Sequence, residues 1–393
     1  MRVLFTMEQI GSIPPSSHPH RLKMKLRALI LPTAIAVLIF MAIPALDAKP
    51  SRRGTRGKKT SRQVSPAPAG KSPYASSAPI TQPEIFGEDV ISGGDYDSHP
   101  AFTPDGKTLY FVRSAPNFNF WTIVVSRFQG TKWSTPTVAP FSGQYCDADP
   151  FITHDGKHFY FISTRPVTGE PKGDTDIWVM DQTDTGWSEP RHLEEPVNSA
   201  GSEWFPSLTR DGTIYFGSDR TGGKGKTDLY RAPMANGKYT SVENLNEPLS
   251  TAADEYEPLI APDESFLIFM ASGRSDSLGE SDLYVSYRRR GVWSAPQNFG
   301  KNINSKRIEY SPMISPDGKY FFWTSTRNFT DAPLPKRLGT AAMMEKLHSA
   351  RNGLGDIYRI DLSQLHLKND EPRMPNDQGM RKAVLDKSPV IRH

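Results

Sequence analysis

The sequence predicts an all-β fold, a β-propeller of five four-stranded blades, and three observations carry that prediction. The first is a sentence repeated five times. Aligned on a proline, it reads SHPAFTPDGKTLYFV, ADPFITHDGKHFYFI, WFPSLTRDGTIYFGS, YEPLIAPDESFLIFM and YSPMISPDGKYFFWT. The prolines are Pro100, Pro150, Pro206, Pro258 and Pro312, spaced by 50, 56, 52 and 54 residues, and a period near fifty with strand-like content marks a propeller or an array. The second is composition: 34 Pro, 30 Gly, 20 Phe, 14 Tyr and 7 Trp in 393 residues favour short strands and tight turns over long helices. The third is a missing piece. The fifth copy lacks its last strand, while PEIFG at 83–87 matches PQNFG at 296–300. An N-terminal strand that completes the final blade closes the ring and removes two sheet edges open to aggregation. A six-bladed ring is the alternative.

Each copy reads as one blade. The innermost strand runs into a turn at Asp105-Gly106, Asp155-Gly156, Asp211-Gly212 or Asp317-Gly318, residues that tolerate positive φ. The fourth copy has Asp263-Glu264 there, so that turn must differ or carry strain. A second strand follows. A third begins at an Asp before an aliphatic-aromatic pair, at Asp176, Asp228, Asp282 and Asp356, each read as a turn or hydrogen-bonding device. The fourth is placed on Trp-Ser-x-Pro at Trp133, Trp187 and Trp293, with Tyr239 in the third copy. Residues 328–355 insert into the fifth blade, and TAAMMEKLHSAR has helix-forming composition with Met343, Met344 and Leu347 on one face. That helix packs on its own blade or serves as a lid or docking element.

The propeller is expected over 80–365, with a disordered tail over 366–393. Before it, the uncharged run 28–46 follows the basic RLKMKLR and reads as an export signal cleaved near Ala48, with Met24 as a conventional start. An uncleaved membrane anchor through residues 28–46 is the rival reading. Residues 1–48 are thus signal or anchor, and 49–79 a flexible basic Pro/Ser-rich linker. Residues 1–80 hold 13 Lys/Arg against 2 Asp/Glu, so a chain of net charge +4 leaves −7 on the rest. A mildly acidic domain gives no support for a nucleic-acid surface. The lone cysteine, Cys146, excludes an intrachain disulfide.

Three residues before each aligned proline stands an acid: Asp97, Asp147, Glu203, Glu255 and Glu309. The end of the second strand carries Arg165, Arg220, Arg274 and Arg327, with no Arg in register in the first copy. The ring of acids is read as structural, tied by Arg–carboxylate forks, and the apparent gap beside the first blade as the place for a cation or amine. Fold-making residues recur in every blade, whereas recognition must break the symmetry. The positions one and two before the proline do so, which puts His99, Asp149, Trp204, Phe205, Tyr256, Glu257 and Tyr310 at a ligand-binding channel mouth.

The pattern E-x-x-P-x-x-S-P-D-G-x-x-x-x-F-x-S-x-R, met at 309–327 except that Trp323 stands at its Phe position, and followed by Asp356-Ile357-Tyr358, resembles the WD40-like Pro-Asp repeat of TolB-type propellers. The resemblance covers nearly all of the chain after residue 90. It implies an exported, monomeric binding or scaffolding module, periplasmic or secreted, for a protein, peptide or glycan of the cell envelope. Enzyme motifs are thin. There is no G-x-S-x-G elbow, Gly222–Lys226 lacks Walker spacing, and His154 and His158 lack metal-ligand spacing. No catalytic residue, cofactor or metal is assigned. The enzymatic rival is a glycoside hydrolase on a five-bladed propeller, for which Asp149 and Glu257 are the unrepeated carboxylates.

Overall fold

The structure, a computed structural model, describes residues 72–169 and 173–367. The apolar segment, most of the basic linker and the tail beyond Leu367 lie outside the described residues. No helix among the described residues is long and apolar enough to cross a membrane.

The ring has five blades. Their innermost strands are Tyr96–Phe102, Asp147–Ile152, Glu203–Leu208, Asp254–Ile260 and Glu309–Ile314, and each blade continues outward through three more antiparallel strands. The last blade is closed from the N-terminus. Glu84–Ile85 pairs with Arg359 and Tyr358 on Asp356–Asp361, as Gln297–Asn298 pairs with Val285 and Tyr284 in the blade before. The matched pentapeptides therefore do the same job. Ile85, Phe86 and Ile91 are buried against this seam, and Phe86 N–H donates to Ile357 C=O at 2.8 Å.

Closure extends further upstream than composition suggests. Tyr74, placed in the linker by its Pro/Ser surroundings, is 3% exposed. It packs on Phe102 of the first blade at 5.0 Å and Tyr320 of the fifth at 5.9 Å. Asp361 binds Ile80 in both directions, through its amide and its carboxylate, each at 3.0 Å. The physical reason is that one aromatic ring suffices to anchor a polar segment when it meets a ready apolar crevice.

The outer strands also depart from expectation. Trp-Ser-x-Pro is not the fourth strand; it is the return of the hairpin that extends the third strand, as at Gly186–Trp187 and Val292–Trp293. The fourth strands are short and lie a few residues later, at Thr137–Val138, Arg191–His192, Glu243–Asn244 and Gln297–Asn298. The serine stitches the return: Ser134, Ser188 and Ser294 accept the amides of Arg127, Asp181 and Tyr287 at 3.0 Å.

Glu264 replaces the turn glycine with φ at +58°. Its carboxylate accepts from Tyr215 Oη at 2.7 Å and pairs with Arg231 and Arg288, bonds that offset a backbone conformation L-residues avoid. Gly222–Lys226 forms the loop between the second and third strands of blade three.

Inner strands begin at one face of the ring, here termed upper. The connections between blades and the loops joining second to third strands lie on that face, while Asp-Gly turns and the outer hairpins lie on the lower one. The insertion in blade five is therefore an upper-face element. It contains a helix, Thr340–Leu347, none of whose residues is buried.

Candidate functional site

The upper end of each blade is built around its acid. Asp97, Asp147, Glu203, Glu255 and Glu309 are fully buried. Glu203 shows the construction: its carboxylate accepts from Ser199 Oγ at 2.6 Å, Ser199 N–H at 3.1 Å, Ser218 Oγ at 3.0 Å and Arg220 Nη2 at 2.9 Å. Thr251 and Ser305 repeat the first two bonds for Glu255 and Glu309. The arginines lie over aromatic rings, Arg220 at 5.0 Å from both Phe216 and Tyr230. They also donate to the connection arriving from the preceding blade, at Phe141, Val197, Pro248 and Ile303 C=O. Each guanidinium thus joins acid, blade core and neighbouring blade. The hydroxyl four residues before each Glu was legible as Ser199, Thr251 and Ser305 but was not singled out.

The first blade is not missing its arginine. Arg113, two positions out of register, reaches Asp97 with Nε at 2.7 Å and Asp95 at 3.3 Å, so no open cation site stands there. The substitution leaves Asp97 less well satisfied than the other four acids of the ring. Arg113 pairs across the sheet with Asp97, where Glu203 and Glu309 face Ser218 and Ser325. Asp97 Oδ2 and Asp356 Oδ1, both buried, have no hydrogen-bond partner among the described residues. Burial pushes Asp97 up to about 6 against the pull of Arg113. Burial, with Asp97 nearby, pushes Asp356 up to about 7 although Arg351 N–H donates to it at 2.7 Å.

Raised carboxylate pKa values mean that the folded chain holds more protons than the unfolded one between about pH 4 and 7. Their contribution therefore falls as pH rises through that window. Asp356→Asn is expected to raise the melting temperature at pH 8, by up to about 4 kcal/mol in stability, and to flatten the wild-type loss between pH 5 and 8. Thermal unfolding of both proteins across that range checks it; a destabilised Asn variant at pH 8 would show that the charge is compensated.

Deeper in the ring, the residue before each aligned proline adopts a left-handed conformation: His99, Asp149, Phe205, Glu257 and Ser311 have φ of 54, 53, 48, 52 and 52°. At each the inner strand loses register, between Ser98 and Ala101 in blade one and at the equivalent pairs elsewhere. A bulge inserts one residue and re-aims its side chain. Three of the side chains so placed, Asp149, Phe205 and Glu257, meet a fourth, His99. His99 Nε2 lies 3.0 Å from Asp149 Oδ1 and 3.3 Å from Glu257 Oε1. Its ring is 6.0 Å from Phe205 and 5.3 Å from Tyr310, and its amide faces Thr324 Oγ1 at 3.4 Å. A side chain of blade one that meets all four other blades sits on the axis.

The remaining carboxylate oxygens are also engaged. Asp149 Oδ2 accepts from Phe205 N–H at 2.8 Å, and Glu257 Oε2 accepts from Ser311 N–H. Burial would pull the imidazole down, but Asp149 and then Glu257 raise it to about 10, so His99 is an imidazolium clamped by two carboxylates. Ser98 Oγ lies 2.8 Å from His99 Nδ1. Serine, imidazole and carboxylate thus stand in relay order, yet Ser98 is fully buried and open to no substrate.

The expected channel mouth accordingly divides. His99, Asp149 and Tyr310 are buried and plug the axis. Tyr310 is no exposed anchor, because the ring brings it against His99. Trp204, Phe205, Tyr256 and Glu257 keep partial exposure, and the rings of Trp204 and Tyr256 meet edge-on at 6.5 Å.

No protein-family model and no curated protein matches the chain. Among solved structures, the putative TolB from Agrobacterium tumefaciens is 16% identical over 68% of this chain and 90% of its own, with a TM-score of 0.41. The native Bacillus subtilis arabinanase Arb43A is 11% identical over 68% and 94%, TM-score 0.42. A puromycin-hydrolyzing peptidase of Mycobacterium tuberculosis is 14% identical over 63% of this chain and 37% of its own, TM-score 0.37. The likeness is one of fold.

Proposed function

We infer that the chain is an exported, non-catalytic binding or scaffolding propeller of the Pro-Asp-repeat, TolB-like kind, which engages a protein or peptide of the cell envelope on its upper face. One observation carries this reading. Of the eight large apolar side chains exposed among the described residues, six stand on upper-face connections and loops: Val90, Phe120, Val167, Leu278, Met344 and Leu347. Spread over five separate loops, these side chains make the upper face the more apolar end of the ring. The half-buried Trp204 and Tyr256, near the upper ends of their inner strands, add rigid aromatic area.

A glycoside hydrolase is the weaker reading. It needs an acid and a base in different environments flanking a sugar, and Asp149 and Glu257 share one imidazole nitrogen. The Trp204→Ala/Tyr256→Ala variant is expected to melt within a few degrees of wild type and to lose the envelope partner that the wild type retains on an affinity column. Turnover in a glycan screen, lost in Glu257→Gln, would reverse the ranking.

A further inference from the structure

The half-buried rings of Trp204 and Tyr256 stand at a seam that differs from the others. Opposite the equivalent inner-strand residue, blades one, two, four and five carry Val112, Ile162, Met270 and Thr324, whereas Trp204 faces Gly217. A Cβ added at Gly217 would meet Thr227 Cγ2 at 3.5 Å and Trp204 O and Tyr256 Cα at 3.9 Å, so a side chain there would enter the seam between blades three and four. Without one, the two aromatic rings approach across that seam to 6.5 Å between centroids.

Carboxylates flank the pair on both sides. Asp254 stands two residues before Tyr256 on one strand, so the two side chains share a face, and its Oδ1 accepts from Lys226 N–H at 2.8 Å. Asp219, exposed, accepts from the amide of Ser202, two residues before Trp204, at 2.7 Å. Burial raises the pKa of the Tyr256 hydroxyl, and Asp254, Asp219 and Glu255 raise it further, which is how close these acids lie. The cations of the seam do not cancel this charge. Arg220 and Arg274 are committed to the buried Glu203 and Glu255 at 2.9 and 2.8 Å, and Lys224 pairs with Glu247 at 3.2 Å. Lys226, exposed on the loop that caps Asp254, stands against both Asp219 and Asp254. Deeper in the ring a single imidazolium faces two carboxylates, Asp149 and Glu257. Negative charge is therefore in surplus beside two accessible aromatic faces, and both features attract a cation.

We propose that this seam docks a basic segment of a partner protein, one Lys or Arg side chain lying against the Trp204 and Tyr256 rings while Asp219 and Asp254 meet its charge. Half-exposed rings do not surround a small amine as an enclosed site does, so the cation belongs to a longer chain that covers the rest of the surface. The inference rests on the binding-module reading and names what that module takes.

The test uses a random dodecapeptide display library, selected on full-length wild type in mild detergent and counter-selected on the Asp219→Asn/Asp254→Asn variant. Each substitution keeps an acceptor oxygen for the Ser202 or Lys226 amide, so matched thermal unfolding is expected. Enriched peptides should carry Lys or Arg, bind the neutralised variant about tenfold more weakly and lose affinity as salt is raised. Four results would overturn the proposal: no enrichment above the naive library, enriched peptides without Lys or Arg, equal binding to the neutralised variant, or self-association of the wild type in sedimentation equilibrium that the neutralised variant lacks, which would make a second copy the occupant. An envelope partner captured equally by wild type and neutralised variant, yet lost by Trp204→Ala/Tyr256→Ala, would overturn this inference and leave the binding-module reading standing. Capture that survives removal of both rings would instead overturn the reading on which it rests.

Discussion

Deletion of residues 80 to 91 is expected to abolish cooperative folding of the ring. The segment supplies the outer strand of blade five, and with it Ile80, Ile85, Phe86 and Ile91, all buried in the cluster that joins the fifth blade to the first. Burying a side chain of this size is worth about 1.5–3 kcal/mol, so four together rival the total stability of about 5–15 kcal/mol typical of a domain. The deletion also exposes the edge of Asp356–Asp361, an open template for aggregation. Calorimetry should show no native transition, and Phe86→Ala alone should cost about 3–5 kcal/mol. A deletion variant melting within two degrees of wild type would mean that the ring does not depend on its N-terminal closure.

His99→Leu is expected to have the next largest effect, a loss of about 3–5 kcal/mol, because removing one partner of a buried ionic cluster strands the others. Asp149 and Glu257 would be left facing each other without the imidazolium that neutralises one of their charges. Adding Asp149→Asn and Glu257→Gln should recover part of the loss, which separates electrostatics from packing. The pH dependence has a definite sign. The folded pKa of about 10 lies above the unfolded value of about 6.5, so the contribution of His99 is complete below about pH 6.5 and is lost as pH rises toward 10. Urea unfolding of the wild type should therefore weaken from pH 7 to 10, and the His99→Leu protein should lack that component. Equal alkaline sensitivity in both would place its cause elsewhere.

Much of the architecture could be read from the chain because a propeller repeats locally. The strands and turns of a blade come from one stretch of about fifty residues, so Asp317-Gly318 or Asp356-Ile357-Tyr358 signals its element without help from afar. Departures from the repeat were harder to interpret. Arg113 was overlooked because it stands two positions out of register, yet an arginine side chain is long enough to reach Asp97 from there. Trp-Ser-x-Pro was assigned to the wrong strand because a hairpin return and an outer strand share the same alternation. Tyr74 sits in a stretch whose composition is that of a linker.

What the sequence alone indicated is five blades, with six as the alternative, their order and the strand that closes them, since these follow from the period and from a pentapeptide match. It also marked the positions one before each proline as the ones that vary. Only the tertiary structure decided what that variation does. A strand read by alternation would point successive side chains to opposite faces, but a left-handed bulge breaks the alternation and turns His99, Asp149, Phe205 and Glu257 toward one another. His99 then meets Asp149 fifty residues away and Glu257 a further 108 along the chain. No local pattern encodes that meeting; it exists because five blades close into a ring narrow enough for one imidazole to span it.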